Sequence, residues 1–133
     1  MQCIEWSEDL ETGYPELDRQ HLKLVKLHND LINSQAISLH SELVSDALVL
    51  LMIFSTEHFD YEEKLMVDIE CPFAEQNKIE HRQLLEDTAR YCVDVLSNHP
   101  DVVDEIVLRI HTWVSSHLPK EVAEIRKHQN THH

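Results

Sequence analysis

Four long stretches of this chain place apolar residues at helical spacing, and each also places polar residues on the apolar face. In the first, Leu17, His21, Leu24, Val25, His28, Leu31 and Ile32 follow one another in steps of one, three and four, which trace a single helical stripe. A helix is expected from near Asp18, a suitable N-cap, to about Ser34. The second runs from about His40 to Val67 with the stripe Leu43, Ala47, Leu50, Phe54, His58, Tyr61 or Glu62, and Leu65. The third covers Ala74 to Ser97, with Asn77, His81, Leu84, Thr88, Tyr91 or Cys92, and Val95 facing inward. The fourth starts at about Val102, behind Asp101 as its cap, and carries Val103, Ile106, Ile110, Trp113 or Val114, His117 and Glu121. Pro119 is expected to kink or end it, because proline lacks the amide donor of the helical ladder. A further turn or two is expected from Lys120 to Lys127.

The intervening turns are short. Residues 1–15 lack a helical period and read as an arm anchored by Ile4, Trp6 and Tyr14, and residues 128–133 read as a flexible tail. Four helices with short links predict an all-α, antiparallel, up-down-up-down bundle forming one domain.

Composition narrows the choice. One glycine and four prolines in 133 residues exclude phosphate-cradling glycine loops and dinucleotide fingerprints, which need several glycines. They also disfavour a fold of many short strands. A net charge of −14 gives no broad attraction for nucleic acid or an anionic membrane surface. The three cysteines, Cys3, Cys71 and Cys92, form no C-x-x-C pair and fit a reducing compartment. The longest apolar run, Ala47 to Phe54, is too short to span a bilayer. The N-terminus lacks the pattern of a signal peptide, so a cytoplasmic, bacterial-type protein is expected.

The candidate chemistry lies in the stripes themselves. His21, His58, Glu62, His81, His117 and Glu121 occupy core positions, where polar groups are costly unless compensated. His58 and Glu62 are four apart, as are His117 and Glu121, and Asn77 and His81, so each pair shares a face one turn apart. In an antiparallel bundle the start of the first helix, the end of the second, the start of the third and the end of the fourth meet at one level. Imidazole and carboxylate gathered there suit Fe, Mn, Zn or Cu(II). His28 lies deeper and reads as a hydrogen-bonded core histidine. His111 reads as partly exposed, and His40, His99, His128, His132 and His133 as peripheral. Phe54, Phe59, Trp113, Met52 and Met66 read as packing.

These residues carry a resemblance. The arm with Trp6, Leu17-Asp18-Arg19-Gln20-His21, His58-Phe59-Asp60-Tyr61-Glu62-Glu63-Lys64-Leu65-Met66 and Trp113-Val114-Ser115-Ser116-His117 make the chain similar to bacterial single-domain hemerythrins over nearly its whole length. The resemblance implies two non-haem irons that hold O2 reversibly, with His21, His58, His81 and His117 as ligands and Glu62 as a bridge. Two positions depart from the family pattern. Asn77 stands where a fifth histidine belongs and offers only a weak carbonyl oxygen. Val122 stands where a bridging aspartate belongs. Glu121, one residue earlier and one methylene longer than aspartate, is the expected replacement.

The expected ligand is therefore O2 or another small diatomic, with no nucleic acid or membrane partner. Any protein partner is open. With fewer ligands the site could hold one iron or zinc instead of two irons. It could reduce O2, peroxide or nitric oxide rather than bind O2 reversibly. A third reading is a degenerate bundle acting through a partner. Apolar walls are expected from Leu24, Leu50, Phe54, Leu84, Ile110 and Trp113.

Overall fold

The computed structural model describes residues 3–37, 42–96 and 101–129, with side chains over 3–33, 46–90 and 105–128. A single 3₁₀ turn at Glu8–Leu10 precedes α1 (Pro15–Ile37), α2 (Glu42–Asp68), α3 (Ala74–Leu96) and α4 (Asp101–Gln129), and no strand occurs among the described residues. Consecutive helices pack on one another, and α4 closes the ring against α1. His21 early in α1, Glu62 late in α2, His81 early in α3 and Glu121 late in α4 lie within hydrogen-bond reach of one another. Only helices of alternating direction bring those positions to one level, so the bundle is antiparallel, as expected.

The first helix begins three residues before Asp18. Pro15 opens it, pre-set in φ and with no amide to leave unpaired, and the carbonyl of Tyr14 accepts the Asp18 amide. Asp18 is therefore not the N-cap. Its carboxylate reaches back to accept from the Thr12 amide and hydroxyl, each at 2.7 Å, and from the Gly13 amide at 3.2 Å. Gly13, the chain's one glycine, turns there at φ 91°. The other end of the arm is tied by Asn29, whose side-chain amide exchanges two hydrogen bonds with the Ile4 backbone at 2.8 and 2.9 Å. Ile4 and Trp6 pack on the core as expected, and Leu10 of the 3₁₀ turn is buried in it.

The end of α2 closes with a paired motif. The Cys71 amide donates to the Met66 carbonyl and the Glu70 amide to the Val67 carbonyl, the two bonds of a Schellman cap. The motif needs a left-handed residue, which here is Glu70 at φ 54°. A side chain in that region costs about 1 kcal/mol, a cost glycine escapes. Glu70→Gly is thus expected to raise the melting temperature by a few degrees, read by circular dichroism, with a drop in melting temperature as the contrary result. Cys71 and Met66 are both buried beside this cap.

Two further expectations are corrected. The inward face of α2 is Leu48, Leu51, Ser55, His58, Phe59, Glu62 and Met66, while Leu50 is 56% exposed and Ala47 and Phe54 are half-buried. Residues 47–54 are apolar all round, so periodicity alone could not orient them, and Leu50 is no wall of the core. Secondly, α4 neither ends nor breaks at Pro119 but runs on to Gln129, taking in His128 and Gln129 of the expected tail. Pro119 faces solvent, and the carbonyl it leaves unpaired, that of exposed Ser115, can bond to water. Burial of Leu118, Val122 and Ile125 on the opposite side holds the helix together. The expectations for Leu43, Tyr91, Cys92, Val95 and Val103, for His40 and His99, for the cap by the Asp101 side chain, and for residues 130–133 lie outside the described side chains.

Two apolar clusters fill the bundle. The larger includes Leu24, Leu31, Leu48, Leu51, Phe59, Leu84, Ile106, Ile110, Trp113, Val114, Leu118 and Val122. The smaller comprises Leu17, Met66, Ile69, Cys71 and Ile125, with Tyr14, Leu65 and Phe73 against it. His21 lies one turn from Leu17 on one side and from Leu24 on the other. Glu62 likewise separates Phe59 from Met66, and Glu121 separates Leu118 from Ile125. The polar level is thus sealed above and below by apolar layers. No described helix is long and apolar enough to cross a membrane.

Candidate metal centre

All the stripe residues singled out in the sequence converge. His21, His58, Glu62, Asn77, His81, His117 and Glu121 are buried, His117 being the most exposed of them at 6%. The four imidazoles turn Nε2 inward. Glu62 Oε2 lies 2.8 Å from His21 Nε2 and 3.3 Å from His58 Nε2, while its Oε1 lies 3.1 Å from His81 Nε2. Glu121 mirrors it: Oε1 lies 3.1 Å from His21 Nε2, and Oε2 lies 3.2 Å from His81 and 2.6 Å from His117. Each carboxylate therefore sends one oxygen toward the His21–His58 pair and the other toward the His81–His117 pair. The result is two overlapping groups, His21, His58, Glu62 and Glu121, and Glu62, His81, His117 and Glu121, with ligand atoms in each within 4.8 Å of one another.

The packing fixes the rings. Phe59 stacks on His81 at 3.8 Å between centroids, Trp113 stacks on His117 at 4.0 Å, and Phe54 lies parallel to His58 at 5.9 Å. These aromatics are packing, as expected, and the packing they do orients imidazoles.

Sequence reading missed the residues behind the rings. Gln20 Oε1 accepts from His58 Nδ1 at 2.9 Å, and Glu63 Oε2 lies 3.1 Å from His81 Nδ1. Glu80 Oε2 lies 3.1 Å from His117 Nδ1, off the line of a straight hydrogen bond. Each of the three is next in sequence to an inward residue, and each is an amide or carboxylate at a helix edge. That adjacency was the available signal. Asn77 donates to Glu62 Oε1 at 3.0 Å and approaches the Met66 sulfur at 3.1 Å. The structure thus places its amide nitrogen, rather than its carbonyl, against the cluster, and Asn77 Oδ1 and His21 Nδ1 have no hydrogen-bond partner.

The electrostatics follow from two carboxylates sharing a dry space. Burial works against charge on His21 and His81, but hydrogen bonds to Glu121 and Glu62 outweigh it and push both up to about 10. Burial also opposes ionisation of Glu62, yet its contacts with Glu121, His58 and His21 hold it well below the usual carboxylate range. Glu121, raised by burial and by the neighbouring Glu62, is lowered on balance by His117 and His21.

A raised histidine adds stability below its unfolded value of 6.5 and loses it as pH climbs to about 10. A lowered carboxylate adds stability above 4.5 and loses it in acid. With no metal bound, the protein is therefore expected to be most stable between pH 4.5 and 6.5 and to weaken steadily toward pH 10. Denaturant titration across that range checks this, and a stability that rises toward pH 10 would contradict it.

The donor set fits metal. Nitrogen and carboxylate oxygen in equal number, turned inward at two adjacent points, with outer hydrogen bonds on two of the four imidazoles, is how metal sites are built. Val122, where the resemblance would set a bridging aspartate, is fully buried in the larger apolar cluster.

Elsewhere, His28 is a satisfied core histidine, as expected. Its Nδ1 donates to Asn29 Oδ1 at 2.9 Å, its Nε2 lies 3.0 Å from Nδ1 of half-buried His111, and burial pushes its pKa down.

No family model matches the chain. It is 25% identical over 118 residues to a bacteriohemerythrin of Stenotrophomonas maltophilia, spanning 89% of this chain and 76% of that protein. It is 28% identical over 123 residues to bacteriohemerythrins of Pseudomonas aeruginosa and Pseudomonas paraeruginosa, spanning 92% of this chain and 79% of theirs.

Proposed function

We propose that this bacteriohemerythrin-like chain holds two non-haem irons at the level of Glu62 and Glu121 and binds O2 reversibly, to store or sense it. One observation carries the reading: each buried carboxylate divides its two oxygens between the same two histidine pairs. Glu62 and Glu121 would bridge, His21 and His58 would hold one ion, and His81 and His117 the other. Glu121 takes the bridging role that Val122 cannot. Bound ferrous iron supplies the electrons that O2 binding takes up.

The protein's own residues do the rest. Asn77 holds Glu62 by its amide and acts as an orienting donor rather than a ligand. Leu24, Leu51, Phe59, Leu84, Ile110 and Trp113 line a small apolar cavity of about 10 Å³, near the lower limit for a single water. It lies in the layer next to the cluster, and its lining favours a small apolar ligand over water. The two hydroxyls there belong to Ser55 and Thr88, and Thr88 is already bonded to the Leu84 carbonyl at 2.7 Å.

The test is to load the protein with ferrous iron, admit O2 and then remove it. A charge-transfer absorption that appears with O2 and vanishes on its removal supports the reading. One specific observation favours the second reading, an enzyme that reduces O2, peroxide or nitric oxide. Each half of the site gathers two imidazoles and two carboxylate oxygens, and Asn77 adds no fifth nitrogen, which leaves coordination positions open for turnover. Continuous O2 consumption with irreversible oxidation would support that reading and sink the first.

A further inference from the structure

The two halves of the centre are alike in their inner donors and unlike behind them. Each half has two imidazole Nε2 atoms and one oxygen from each of Glu62 and Glu121. Behind the His81–His117 pair stand two carboxylates, Glu63 at 3.1 Å from one Nδ1 and Glu80 at 3.1 Å from the other. Behind the His21–His58 pair stands one neutral amide, Gln20 at 2.9 Å from His58 Nδ1, while His21 Nδ1 has no partner at all.

Nearby cations do not cancel the difference. Arg19 and Lys23 line the groove over His58, and Arg109 and Lys120 line the one over His117. Arg19 is paired with Glu16 and Arg109 with Asp87. Lys120, 3.3 Å from Glu80 Oε1, offsets part of that one carboxylate and leaves Glu63 untouched.

A carboxylate that receives the outer N–H of an imidazole makes the inner nitrogen a stronger donor and holds the ring in place. We propose that Glu63 and Glu80 are positioning residues that make the His81–His117 position the tighter of two metal positions, so that the centre fills in order. The inference rests on the two-metal reading of the same site. Symmetry in the ligands is broken by the residues behind them, and Glu63, which accepts the outer N–H of His81, contributes more than Glu80, which stands beside His117 Nδ1 as a charge without a straight hydrogen bond.

The test is an anaerobic titration of the metal-free full chain with cobalt(II), followed by its visible absorption bands and by calorimetry. Wild type is expected to bind in two steps separated by about tenfold or more. E63Q and E80Q are each expected to weaken the first step by about ten- to a hundredfold, E63Q by more, and to leave the second nearly unchanged. Q20E, which puts a carboxylate behind His58, is expected to tighten the second step alone. This gain is not expected from a purely structural residue, and it keeps the test open if E63Q folds poorly.

Two equal steps in wild type, or E63Q and E80Q acting on the second step or on both alike, would overturn the inference while leaving the two-metal reading standing. Fewer than two cobalt ions per chain would overturn both.

Discussion

Glu121→Ala is expected to cost the protein most of its metal affinity, by more than about a hundredfold, because it removes an inner donor from both halves at once. Changes to residues that only support ligands already cost about ten- to a hundredfold, which sets the lower bound. Glu121 contacts His21, His81 and His117, so its loss also strands buried imidazoles. Removing one member of a buried ion pair is destabilising by about 3 kcal/mol or more. The imidazoles can shed their protons, which places the expected loss near the lower end. Metal content after desalting and a denaturant melt of the metal-free variant read the two effects separately. Metal retained at wild-type affinity would show that Glu121 is no bridge and that its burial has another cause.

Removing metal from the loaded wild-type protein is expected to lower the melting temperature by roughly 10–20 °C. An ion present at about a thousand times its dissociation constant adds about 4 kcal/mol to the folded state. For a chain of this length each kcal/mol moves the midpoint by about 4 °C. The gap should widen as pH rises from 6.5 toward 10, because the metal-free form then loses the protons on His21 and His81 that partner Glu62 and Glu121. Bound metal replaces those protons and removes the dependence. Scanning calorimetry at several pH values, with and without a chelator, checks both. A gap that stays constant or narrows with pH would show that proton and metal do not compete for the same carboxylates.

Much of this was legible in the sequence because polar residues on an apolar stripe are costly and therefore informative. His21, His58, Glu62, His81, His117 and Glu121 stood out for that reason, and the alternating direction of four helices sufficed to bring them to one level. Even Glu121 was readable, since its place four residues after His117 puts both on one face. The misplaced features share a different cause. Residues 47–54 of α2 have no polar residue to orient them, so periodicity puts Leu50 in a core position that Leu48 and Leu51 hold. The local chemistry of Pro119 predicts a kink or an end, which the burial of Leu118 and Val122 overrides. A short acidic side chain before an apolar run favours a cap at Asp18, whereas Pro15 begins the helix and Asp18 serves the arm. Gln20, Glu63 and Glu80 look like ordinary surface residues in sequence and gain their role only when a neighbouring helix brings a histidine ring against them.

In the proposed centre Glu62 and Glu121 each span two metal positions. Counting iron tests this most directly: reconstitute the metal-free chain anaerobically with ferrous iron, desalt, and measure iron per chain. Two irons per chain are expected, one for each of the two groups of donors, and fewer than two in Glu121→Ala. One iron or none in the wild-type protein would contradict this arrangement.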